Sequence, residues 1–126
     1  METQKPTTEQ ILSMMKGAMD GKLPKAIELA GEVFPEMVAE HAHSSAFAMP
    51  NEGALEPETR TLIYLGIALA TGSKACIEAM MNKAKMQNIP KEKILEAFKI
   101  ARYAEATRVV GNAEKVFEQL LNNKTE

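Results

Sequence analysis

Tryptophan is absent from this chain of 126 residues, cysteine occurs once and histidine twice. The single Cys76 excludes an intramolecular disulfide, a Cys-x-x-Cys redox pair within one chain and a cysteine-rich zinc site. His41 and His43 leave little from which to build a metal cluster, and no metal or cofactor is expected. Positive charge is not in excess either. The 15 Lys+Arg against 17 Asp+Glu give a net charge of −2, so no overall field draws a phosphate backbone and nucleic acid is not an expected partner. Long apolar runs are missing too: the longest, Leu62 to Ala70, falls far short of the ~20 residues that span a bilayer. No membrane segment is expected. The opening METQKPTTEQ has neither the basic region nor the apolar stretch of a signal peptide, which makes a reducing cytoplasm the expected location.

What the chain does contain is helix-forming material. It is 45% hydrophobic and 25% charged, enough for one packed domain over residues 1–126. Ala, Glu, Lys, Leu and Met dominate while Gly and Pro fall almost wholly between periodic segments, so the expected class is all-α with six or seven helices. Thr7 and Gln10 have capping-box spacing and predict a first helix to about Asp20, with Ile11, Leu12, Met14, Met15 and Met19 on its inner side and Gly21 as its stop. Pro24 opens a short helix to about Gly31, and Pro35 another from Glu36 to about Ala48, because proline's fixed φ and missing N–H suit a first turn. Residues 50–57 read as the main loop. Beyond it, Glu58 to Thr71 predicts a central helix, apolar on nearly all sides. Gly72 and Ser73 then fit a C-terminal and an N-terminal cap back to back, before a helix from Lys74 to Gln87 with Cys76, Ile77, Met80, Met81 and Ala84 as its inner stripe. Asn88 to Pro90 break the chain ahead of a long helix bearing Ile94, Leu95, Phe98 and Ala101, which Gly111 ends or bends. A last helix over about Ala113 to Leu121 precedes a tail, Asn122 to Glu126, expected to fray.

Few residues here can carry chemistry. With Ser73 as N-cap, Cys76 stands in the first turn of its helix, where free N–H groups, the helix dipole and nearby Lys74 favour a thiolate. Cys76 also fits the apolar stripe as a small buried residue, so both roles stay open. Glu40 and His43 share a face at i,i+3, the spacing of carboxylate-bridged di-iron sites, yet a second such pair is lacking and a di-metal site within one chain is excluded. His41 and His43 therefore read as surface or helix-terminal residues. The nine methionines read as core, with a pliable ligand pocket as the alternative. Arg60, Arg102 and Arg108 are the only arginines that could grip a carboxylate through a bidentate fork. For Arg60, a structural ion pair with a glutamate is the simplest role, and it nears the Ser73 joint only if its helix folds back.

From Leu55 to about Phe117 the chain resembles the carboxymuconolactone decarboxylase family, which includes the alkylhydroperoxidase D-type enzymes. The matching features are Leu-x-Pro-x-x-Arg opening an apolar helix, a Gly-bounded joint, an Ala-rich second helix and the segment Ile-Pro-Lys-Glu-Lys-Ile-Leu-Glu-Ala. The resemblance implies an all-helical fold, a family-like core over residues 55–117, an N-terminal helical extension over residues 7–49, and a homo-oligomer, hexameric or trimeric. The family's peroxidase branch uses a Glu, a Cys-x-x-Cys pair and a His. Laid on this chain, the second Cys is Cys76, the first is Ser73, the His position is Met80 and the Glu position is Thr61. A sulfenic acid on Cys76 could not be resolved by Ser73, so dithiol peroxidase turnover is expected to be weak or absent. Three functions follow as expectations: a single-thiol redox or peroxide-related oxidoreductase centred on Cys76; a lactone decarboxylase using Arg60, Arg102 or Arg108 as anchors with His41, His43 or Tyr103 as acid; and a non-catalytic oligomer binding a small ligand or partner.

Overall fold

The computed structural model describes residues 5–19 and 21–123, and among these it forms seven helices and no strands. They are α1 (Thr8–Ala18), α2 (Lys25–Val33), α3 (Pro35–Ala48), α4 (Pro57–Thr71), α5 (Lys74–Met86), α6 (Lys91–Asn112) and α7 (Glu114–Asn122). The all-α expectation holds, and local chemistry explains most boundaries. At the start of α1 the capping box is complete: the Gln10 N–H donates to Thr7 Oγ1 at 3.1 Å and the Thr7 N–H to Gln10 Oε1 at 2.8 Å. α2 runs two residues past its expected end at Gly31, leaving Phe34 as the single residue between it and α3. Asp20 and the last three residues of the tail lie outside the described residues.

The α4–α5 joint is two residues long. Gly72 takes a φ of 75°, the left-handed conformation that lets the chain reverse, and the N–H groups of Gly72 and Ser73 both donate to the Ala68 carbonyl at 3.0 and 3.1 Å. At the other end of α5 the same device uses an asparagine: Asn88 has φ 54°, its N–H donates to the Lys85 carbonyl, and the Ile89 N–H donates to Ala84 at 3.0 Å. Ile89 is buried, supplying the apolar contact that accompanies such a cap.

Packing gathers around two centres. α1, α2 and α3 close around Val38, with Gly31 so near that a Cβ there would stand 3.2 Å from Leu12. α4 packs on both α5 and α6 around Leu65, Ala79 and Met80, with Tyr64, Leu69, Ile77 and Ile94 partly buried against them. Met19, at the end of α1, reaches this second centre.

Several expected core positions are not covered. Met14 is 71% exposed: at 100° per residue it lies roughly 110° from the centre of the arc formed by Ile11, Leu12, Met15 and Met19, and α1 has neighbours only on that arc. Met81 sits exposed at the edge of the α5 stripe. Leu95 and Phe98, which share helical spacing on α6 without being expected in a core, are also exposed: α6 packs on α4, meets α7 only at its end, and has no fully buried residue. Gly111 lies in the last turn of α6 rather than ending it.

Candidate functional site

Cys76 stands three residues after Ser73, whose side chain caps α5 by accepting the Cys76 N–H at 3.4 Å. The thiol is partly exposed rather than sealed in the core. Opposite it on α4, the Tyr64 hydroxyl lies 3.3 Å from Cys76 Sγ. That hydrogen bond, then burial, then the charge of an ionised Cys76 all push the Tyr64 phenol above its ordinary range, so the phenol keeps its proton at neutral pH. A protonated phenol can donate to sulfur whenever Cys76 is ionised. Tyr64 did not stand out in sequence. Its only signal there was a polar tip inside the otherwise apolar run from Leu62 to Ala70.

The neighbouring positions are committed elsewhere. Met80 is buried in the core against Leu65 and Ala79. Thr61 is fully buried, with Oγ1 placed 2.7 Å from Gln87 Oε1 and 3.2 Å from the Pro57 carbonyl. Ser73 is occupied by its cap. None of the three offers a thiol, an imidazole or a carboxylate to Cys76.

Arg60 is brought not to the Ser73 joint but to the opposite end of the α4–α5 pair. There it is buried, and its Nη1 donates to the Leu55 carbonyl at 2.6 Å instead of pairing with a glutamate. It lines a small cavity with Lys83 and Gln87, two residues that sequence reasoning passed over. The remaining candidates stay apart. His41 is partly buried and His43 exposed on α3, while Arg102 and Tyr103 are exposed on α6. Arg108 forks onto Glu105 at 3.1 and 2.9 Å. Among the described residues no hydrogen bond links any of these five to Cys76, Tyr64 or Arg60, and no group of three or more His, Cys, Asp or Glu side chains is placed to hold a metal ion.

Along the other side of α4 runs an open apolar groove of about 640 Å³, walled by Leu62, Ile63, Ile67 and Ile100 and floored by small residues such as Gly66 and Ala101. Glu58 and Lys93, which form an ion pair, close one end. No helix is long and apolar enough to cross a membrane among the described residues.

Seven helices and no strands among the described residues, with α4 packed on α5 through a two-residue joint, define an all-α protein. The model of the carboxymuconolactone decarboxylase family matches residues 33–119, and the chain belongs to that family. The match begins before the 55–117 core that the motifs outline, taking in the whole of α3. A search of curated proteins found no match.

Proposed function

We propose that this protein is a single-thiol oxidoreductase of its family, with Cys76 as the only reacting side chain. The observation that carries the reading is the Tyr64 hydroxyl 3.3 Å from the partly exposed sulfur. A thiolate at Cys76 attacks the outer oxygen of a hydroperoxide; the O–O bond breaks, an alcohol leaves with a proton from solvent, and Cys76 becomes a sulfenic acid. Tyr64 donates its O–H to the sulfur or to the oxygen of the new sulfenic acid. No second cysteine exists in the chain, so a low-molecular-weight thiol forms a mixed disulfide with release of water, and a second such thiol restores Cys76 and leaves as a disulfide. Arg60 is buried at the end of the α4–α5 pair while Arg102 and Arg108 lie exposed on α6, which supports this reading over a decarboxylase that must bring anchors and an acid together.

Self-assembly belongs to the same proposal. Ile63, Ile67, Ile100, Val116, Phe117 and Leu120 are exposed along the α4–α6 groove and α7, more apolar surface than a monomer of this size ordinarily leaves in water. A symmetric homo-oligomer, hexameric or trimeric, in a reducing compartment fits both the surface and the free thiol.

The test is hydroperoxide consumption measured with a monothiol donor and, separately, a dithiol donor, for wild type and Cys76→Ser. Turnover that needs Cys76 and proceeds with the monothiol is the expected result. A thiol that resists alkylation until the chain is unfolded, or turnover that survives Cys76→Ser, overturns the reading.

A further inference from the structure

Arg60 and Lys83 face one cavity of about 100 Å³ with no carboxylate to balance them. Among the described residues, neither is in ion-pair range of any Asp or Glu. Glu52 and Glu56 belong to the same loop, yet neither lines the cavity. Two uncompensated cations around a small recess call for an anion, since burying charge without a partner is costly. Arg60 is the better placed of the two. Its guanidinium has five N–H groups, of which the Leu55 carbonyl engages one nitrogen, and no enclosed side-chain nitrogen among the described residues lacks a partner. The rest of the fork therefore opens onto accessible space. Gln87 presents its Oε1 to Thr61, which leaves its amide N–H groups for the cavity. Met49, Pro50 and Pro57 add apolar surface to the lining, and Asn51 a further polar side chain.

We propose that this recess is a binding site for a short-chain monocarboxylate, held by Arg60 and Lys83 through its carboxylate and by the Met49 and proline surface through its carbon tail. The site goes beyond the thiol chemistry and does not use Cys76. A planar carboxylate matches the open edge of a guanidinium, whereas a phosphate would leave the apolar surface unused. Burial, and then the charge of Arg60, push the Lys83 ammonium below its ordinary range, and the opposite charge of a bound anion favours the ammonium again. Gly53 leaves room for the guanidinium: a Cβ there would stand 3.0 Å from Arg60 Nη1, which would have to shift.

Titration of the full chain with propionate, followed by calorimetry and backbone amide shifts, tests the site. Saturable binding is expected, with shifts concentrated at residues 51–53, 83 and 87. Lys83→Met should weaken it at least tenfold while keeping the fold, because it replaces a poorly solvated cation with an apolar chain. Gly53→Ala should weaken it severalfold without changing any charge, and Lys99→Met and Cys76→Ser should leave it unchanged. A linear response, equal affinity in Lys83→Met and Gly53→Ala, or phosphate binding tighter than propionate overturns the assignment.

Discussion

The α4–α5 hairpin and the α6–α7 arm follow each other in the chain and are of similar helical content, yet they solve the burial problem in opposite ways. In the hairpin, Leu65, Ala68, Ala79, Met80 and Ala84 are buried, and capping groups satisfy the joint between the helices. The arm has no fully buried residue, although Leu95, Phe98, Ile100, Val110, Phe117 and Leu120 are as apolar as anything in the hairpin. Apolar content alone therefore does not locate a core. What distinguishes the two is cover from elsewhere in the chain: Met19 packs on the hairpin core and residues 22–26 and 49–51 line recesses against α5, whereas α6 packs on α4 and meets α7 only at its end.

The largest expected effect is in the hairpin. Leu65→Ala should destabilise the protein by about 2–5 kcal/mol, read as a lower denaturant midpoint whose shift is already present in the isolated protomer. The arm should behave differently. Phe117→Asp combined with Leu120→Asp is expected to shift sedimentation to smaller species at micromolar concentration and to make the unfolding midpoint less dependent on protein concentration. An unchanged sedimentation coefficient would break the comparison, since the arm would then need no partner.

A smaller effect isolates the joint. Ser73→Ala removes the cap of α5 and should cost about 1 kcal/mol, while slowing alkylation of Cys76 at neutral pH. An alkylation rate equal to wild type would mean that the cap contributes to stability and not to reactivity. The smallest effect concerns pH. Tyr64 ionises above its ordinary value of 10.0 in the folded protein, so its contribution to stability is present below pH 10 and is lost as pH rises through the folded value. Ultraviolet titration should find one tyrosine with a midpoint above that of a free tyrosine, and Tyr64→Phe should abolish it.

Features that depend on neighbouring residues were legible in the sequence. The Thr7 box, the Gly72–Ser73 joint and the position of Cys76 in a first turn are set by side-chain and backbone groups three or four residues apart, and the structure reproduces them. The family was readable from the motif around Arg60 and the Ile89–Pro90 turn. Tyr64 was not readable as the partner of Cys76, because that contact depends on how α4 and α5 rotate against each other. A glutamate partner is the general expectation for Arg60, whereas the turn of the 49–56 loop delivers the Leu55 carbonyl first. Lys83 and Gln87 lie outside the apolar stripe of α5, and only the fold of that loop encloses them. The exposure of Leu95 and Phe98 on α6 is not readable from the sequence, because periodicity reports which side of a helix is apolar and not whether anything covers it.

The two-residue joint at Gly72 also bears on how the chain comes together in time. Helices linked so closely can meet without a long loop-closure search, so the hairpin is suited to form early and to offer α6 a surface on which to dock. The arm, if another copy covers it, must wait for collision between chains. Refolding should then show a fast phase whose rate is independent of protein concentration and a slower one that quickens as concentration rises, with Gly72→Ala, strained at its left-handed φ, retarding only the first.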